Sequence, residues 1–125
     1  MRIARIGSLG QEKPAVVQGD EYILVDSLIG DWSRATLEDG AMAKVAAADL
    51  SGLPRIAKGS TRIGSPINRP TKVICVGLNY LAHIKESNAE TPAEPVIFMK
   101  APDSVVGPND DIVIPPKSLA TDYEV

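Results

Sequence analysis

The chain has 125 residues, 44% of them apolar and 23% charged, with 13 basic and 16 acidic side chains and a net charge of −3. This size suits one domain or two small ones, and the composition is that of an ordinary globular protein, not a disordered or membrane-embedded one. Charges of both signs are scattered without the basic stripe that nucleic acid requires, and no apolar run approaches the ~20 residues of a membrane span.

The opening Met1-Arg2-Ile3-Ala4-Arg5-Ile6 has no apolar signal region and no small-residue cleavage site, so a cytoplasmic protein is expected. Three short strands follow in the pattern. Ile3 and Ile6 flank the first, Ala15-Val16-Val17 form the second and Tyr22-Ile23-Leu24-Val25 the third, with breaks at Gly7, Gly10, Pro14 and Gln18-Gly19-Asp20-Glu21. The alanine-rich stretch from Leu37 to about Ala48 reads as a helix capped by Thr36 and Asp39, weakened by Gly40. From Gly52 to Thr71 prolines and glycines leave little periodicity, and this stretch reads as a linker. The domain expectation is therefore a small amino-terminal domain with its linker over 1–71 and a second unit over 72–125.

In that second unit, Val73-Ile74-Cys75-Val76 reads as a buried strand, followed by a helix carrying His83, a loop from Asn88 to Pro95 and a strand at Val96-Ile97-Phe98-Met99. Asp111-Ile112-Val113-Ile114 reads as a third strand and Tyr123-Glu124-Val125 as the start of a fourth. The fold class is thus mainly β with short helices, α+β. The single cysteine, Cys75, excludes a disulfide within the chain and reads as a small core residue.

The chemistry concentrates in Asn79-Tyr80-Leu81-Ala82-His83-Ile84-Lys85-Glu86, which holds the only histidine. His83 and Glu86 stand three apart, on one face of a helix. A carboxylate on one ring nitrogen fixes the tautomer and leaves the other nitrogen to deprotonate water, whereas the plain alternative is a surface helix pair; spacing alone leaves both open. Glu124 and the position two beyond it would share a strand face and could hold a hard cation through oxygen, or Glu124 simply faces solvent. Lys100 ends a strand, where it could bind a substrate carboxylate or face water. No nucleotide-binding glycine pattern occurs.

Taken in order, Lys72-Val73-Ile74-Cys75-Val76-Gly77-Leu78-Asn79-Tyr80-Leu81-Ala82-His83, Glu86, Pro95-Val96-Ile97-Phe98-Met99-Lys100, Ser104-Val105-Val106-Gly107-Pro108, Asp111-Ile112-Val113-Ile114-Pro115 and Asp122-Tyr123-Glu124-Val125 resemble the fumarylacetoacetate hydrolase family. Gly10-Gln11-Glu12-Lys13-Pro14 and the β-rich leader resemble its bacterial members with a small amino-terminal domain.

The resemblance implies the start of an FAH-fold catalytic domain after the leader, assembled as a homodimer. It implies Mg²⁺ or Mn²⁺ held by two glutamates and a later aspartate, of which only Glu124 is present here. The sequence is accordingly expected to be part of a protein about twice as long, and inactive if it stands alone. It further implies a small-molecule 2-oxo or diketo acid chelated by the metal and water activated by His83, oriented by Glu86. Substrate or water would be held by Lys100 or the Asn79-Tyr80 pair, and the His83 helix with its loop to Pro95 would act as a lid. The implied reaction is hydrolysis of a carbon–carbon bond in a 2,4-diketo acid. Isomerisation of 2-hydroxyhepta-2,4-diene-1,7-dioate or decarboxylation of oxaloacetate on the same site, and a non-catalytic binding module, are the alternatives.

Overall fold

Antiparallel pairing of short alternating segments builds the amino-terminal half. The structure, a computed structural model, describes residues 1–121. Strands β1 (Arg2–Ile6), β2 (Lys13–Gln18), β3 (Glu21–Leu24) and β4 (Arg55–Ala57) form one sheet in that order. The register aligns Ala4 with Ala15 and Ala15 with Leu24, and in the neighbouring row Ile3 with Val16 and Val16 with Ile23. Because side chains alternate across a strand, these two rows face opposite sides of the sheet.

Each side has its own core. Ala4, Ile6, Ala15, Tyr22 and Leu24 pack with Ile56 and Ile63 on one side. On the other, Val16, Val25, Trp32, Ala41 and Val45 pack with Ile3, Leu28 and Leu37. Trp32 is wholly buried, and its indole N–H donates to the Ala15 carbonyl at 3.2 Å, which satisfies the one polar group that such burial would otherwise strand. Three short helices supply this second layer: α1 (Asp26–Ile29), α2 (Arg34–Glu38) and α3 (Ala41–Ala47).

Several expectations need correction here. The expected helix from Leu37 to Ala48 is two helices, because Gly40 adopts the left-handed conformation (φ 80°) and breaks the chain between α2 and α3. The cap lies earlier than Thr36. Ser33 accepts from the Thr36 amide while Thr36 Oγ1 accepts from the Ser33 amide, a reciprocal capping box. The stretch from Gly52 to Thr71 is no free linker, since it contains β4 and is stitched to the leader by the Gly64 amide on the Arg5 carbonyl (2.8 Å) and the Asn68 amide on the Trp32 carbonyl (2.7 Å).

The second unit is simpler. Strands β5 (Val73–Gly77) and β6 (Val96–Lys100) pair antiparallel as a two-stranded ribbon, joined through helix α4 (Leu81–Glu86) and a loop. Cys75 is only half-buried, because the ribbon has no second layer over it among the described residues. Ile74 faces Met99 and Val76 faces Ile97 across the ribbon, and all four are 45% to 69% exposed. Ile112-Val113-Ile114 is not a strand. The segment is irregular and exposed and pairs with no strand among the described residues. The expected fourth strand, Tyr123 to Val125, lies outside the described residues.

Candidate active site

The His83 helix follows a strained turn and is capped at its end. At its start the chain leaves β5 through Leu78, whose φ of +49° is a left-handed conformation costing a non-glycine residue about 1–3 kcal/mol. At its end, the Asn88 amide donates to the Lys85 carbonyl and the Ala89 amide to the Ile84 carbonyl, with Asn88 itself left-handed at φ 52°. This is the paired termination of a Schellman motif, and asparagine tolerates the conformation better than most residues. Ile84 is the one buried side chain of α4.

With Ile84 turned inward, His83 and Glu86 turn outward. His83 Nδ1 lies 3.9 Å from Glu86 Oε2, within ion-pair reach but longer than a hydrogen bond, and the side chains are 62% and 83% exposed. Asn79 and Tyr80 lie just before the helix and are exposed. Asn79 lines a groove of about 350 Å³ whose walls include Gly77, Leu81, Ile84, Pro92 and Val96. The strained Leu78 lies in the same wall. No sequence pattern marks Leu78, because a left-handed leucine follows from the angle between strand and helix.

Lys100 sits elsewhere. In the ribbon it is opposite Val73, whereas the chain enters α4 after Gly77, opposite Val96. Four residues of strand, about 13 Å at the usual rise, separate the two ends. Its ammonium lies 5.5 Å from the centre of the Phe98 ring, in cation–π range. The structure thus places Asn79 and Tyr80 just before the helix that carries His83 and Glu86, the groove beside Asn79 being lined by neither His83 nor Glu86, and leaves Lys100 at the far end of the ribbon.

Glu124, the residue implied as a metal ligand, lies outside the described residues. Among the described residues no group of three or more His, Cys, Asp or Glu side chains is placed to hold a metal ion. The described part of the chain therefore does not itself supply a metal ligand set. No helix among the described residues is long and apolar enough to cross a membrane.

A different cluster escaped sequence reasoning altogether. Arg5, 6% exposed, donates from Nε and Nη2 to the two Asp31 oxygens at 2.7 and 3.0 Å, and Asp31 also accepts from the Asn68 side chain at 2.7 Å. Arg62 Nη1 donates to Glu12 Oε1 at 2.6 Å, and its Nε and Nη2 donate to Asp110 at 2.7 and 2.5 Å. Burial pushes the Glu12 carboxyl up, but the Arg62 hydrogen bond, two backbone amides and the Arg5 charge together bring it below the ordinary carboxylate value. Asp110 is lowered by the Arg62 hydrogen bond first and the Gly107 amide second.

Strand, strained exit, histidine helix and returning strand in this order define a class. Residues 72–125 match the family model described as fumarylacetoacetate (FAA) hydrolase, C-terminal, and the chain belongs to the fumarylacetoacetate hydrolase family. Among curated relatives, 2,4-didehydro-3-deoxy-L-rhamnonate hydrolase of Sphingomonas sp. strain SKA58 is 41% identical over 125 residues, covering all of this chain and 42% of the relative. Among solved structures, fumarylacetoacetate hydrolase from psychrophilic Exiguobacterium antarcticum is 33% identical with a TM-score of 0.62, over 90% of this chain and 39% of that one. Maleylpyruvate hydrolase from Sphingobium sp. SYK-6, in complex with manganese(II) and pyruvate, is 27% identical with a TM-score of 0.63, over 93% of this chain and 43% of that one. The chain thus spans less than half the length of each of these proteins, all of which share the FAH fold.

Proposed function

We propose that the protein to which this chain belongs is a hydrolase that cleaves a carbon–carbon bond in a 2,4-diketo acid, either of acylpyruvate type or a diketo sugar acid. The observation that carries the reading is the outward-facing pair His83 and Glu86, 3.9 Å apart on the helix that follows β5. A small side-chain rotation closes that distance to a hydrogen bond. Glu86 would then hold Nδ1 and favour the tautomer whose Nε2 is free to accept a proton from water. The hydroxide adds to the distal carbonyl, the bond to the adjacent methylene carbon breaks, and that carbon regains a proton, so that a carboxylate and a 2-oxo acid leave. Asn79 and Tyr80, at the entrance of the helix, are assigned to holding substrate or water.

The substrate class is supported by the names of two relatives, one acting on a didehydro-deoxy sugar acid and one on maleylpyruvate. A divalent cation, Mg²⁺ or Mn²⁺, with Glu124 among its ligands, belongs to the same proposal and is supported by the manganese of the Sphingobium protein. A cytoplasmic homodimer completes it.

The test is turnover of an acylpyruvate, a diketo sugar acid and oxaloacetate by the intact protein with Mg²⁺ or Mn²⁺ against an EDTA control. Metal-dependent cleavage of a diketo acid supports the proposal. Loss of CO₂ from oxaloacetate alone would replace it with a decarboxylase, isomerisation without cleavage with an isomerase, and no turnover with a binding module. In the same assay His83→Ala is expected to lower turnover at least tenfold with metal binding retained, and wild-type turnover would sink the dyad.

A further inference from the structure

We propose that Arg62 is a clamp between the leader and the second unit, through which the leader sheet fixes the course of the chain after Lys100. Its guanidinium reaches both sides at once. Nη1 donates to Glu12, which begins the approach to β2, while Nε and Nη2 grip the Asp110 carboxylate side by side. A planar fork with fixed donor directions suits this bridging geometry, and a lysine ammonium does not reproduce it.

Asp110 passes the grip on. Its Oδ2 accepts the Gly107 amide at 2.7 Å and its own amide donates to the Gly107 carbonyl at 3.1 Å, so that one carboxylate closes the turn Gly107–Asp110 and ties it to Arg62. A second observation, independent of charge, places the same seam. Gly107 is buried, and a methyl group added there would lie 2.1 Å from the Ile63 carbonyl oxygen, next to Arg62 in sequence. Only glycine allows the two backbones to come this close.

The seam is anchored on the leader side as well. The Gly7 amide donates to the Arg62 carbonyl at 3.0 Å, the Gly64 amide to the Arg5 carbonyl at 2.8 Å, and Ile6 pairs with Ile63 in an antiparallel bridge. Arg62 therefore extends from the edge of β1. A cleft of about 300 Å³ runs along the seam between Arg5, Leu9 and Ile67 of the leader and Pro102, Val105 and Val106 of the second unit. The clamped turn Gly107–Asp110 follows β6 by way of the short turn Pro102–Ser104. The clamp itself stands on the contacts alone.

Coupling of this kind is reciprocal, so it can be cut from either side. In the intact protein, site-resolved amide hydrogen exchange is the readout, which is independent of turnover. Arg62→Gln is expected to speed exchange at Gly107 and Asp110 at least tenfold, while the amides of Val16 and Ile23 in the leader sheet change less than threefold. Arg62→Lys should fall between. Asp110→Ala, made on the other side, is expected to speed exchange at Gly7 and Gly64 at least threefold. Unchanged exchange at Gly107 in Arg62→Gln would overturn the clamp. Uniform acceleration through the leader sheet would overturn it too, since Arg62 would then support the leader fold instead of joining two units.

Discussion

The leader and the ribbon are built from the same kind of antiparallel pair, yet only one of them buries what it pairs. In the leader each strand has apolar neighbours above and below, and Ala15, Ile23, Val25 and Trp32 have no measurable exposure. In the ribbon Ile74, Val76, Ile97 and Met99 line one face that nothing covers among the described residues. Hydrogen bonding between strands sets local geometry in both, but a two-stranded ribbon gains stability only when a face is packed. The leader thus carries its own core, whereas the ribbon's apolar face awaits further contacts.

The most damaging test of this difference is Arg5→Met. Removing a buried guanidinium takes from Asp31 the cation that grips both its oxygens, while Glu12 keeps its hydrogen bond from Arg62, and a loss of about 3–5 kcal/mol in denaturant unfolding is expected. Ile23→Ala opens a cavity at a fully buried position and should cost about 2–5 kcal/mol. Acid acts on the same region. Glu12, Asp26 and Asp110 all have carboxyls held below their ordinary values, Asp26 chiefly by its hydrogen bond from Lys13. Such groups bind fewer protons when folded than unfolded, so their contribution is complete above the ordinary carboxylate pKa of about 4 and disappears as pH falls through the lowered values. The urea midpoint should therefore fall between pH 7 and about pH 3, and Glu12→Gln should flatten that slope. The smallest effect belongs to the ribbon. Ile97→Ala should change the stability of this 125-residue chain by no more than about 0.5 kcal/mol, and a loss approaching that of Ile23→Ala would show the face to be covered after all.

How far the sequence could be read follows the same division. Strands β1 to β3, β5 and β6 were legible because apolar residues alternate or run together between turn residues. Strand β4 was not, since three residues after a proline, with Ile56 their one large apolar side chain, carry no periodicity. Ile112-Val113-Ile114 shows the opposite error, a run with strand character that pairs with no strand among the described residues. Helix α4 could be placed from its position after β5 and the spacing of His83 and Glu86, but neither the 3.9 Å gap nor the position of Lys100 at the other end of the ribbon is written in local pattern. Least legible was the Arg62 cluster. Its partners lie 48 and 50 positions away, and charges at such distances look like a scattered, solvated surface until the fold brings them together.

The chain's only tryptophan also makes the leader optically distinct. Trp32 is sealed in the leader's helix-covered core, so its intrinsic fluorescence reports the opening of that half and is nearly blind to the ribbon and the His83 helix. A red shift of emission during unfolding would time the leader alone, while circular dichroism follows the whole chain. Any lag between the two signals would then measure, without a label, how independently the halves come apart.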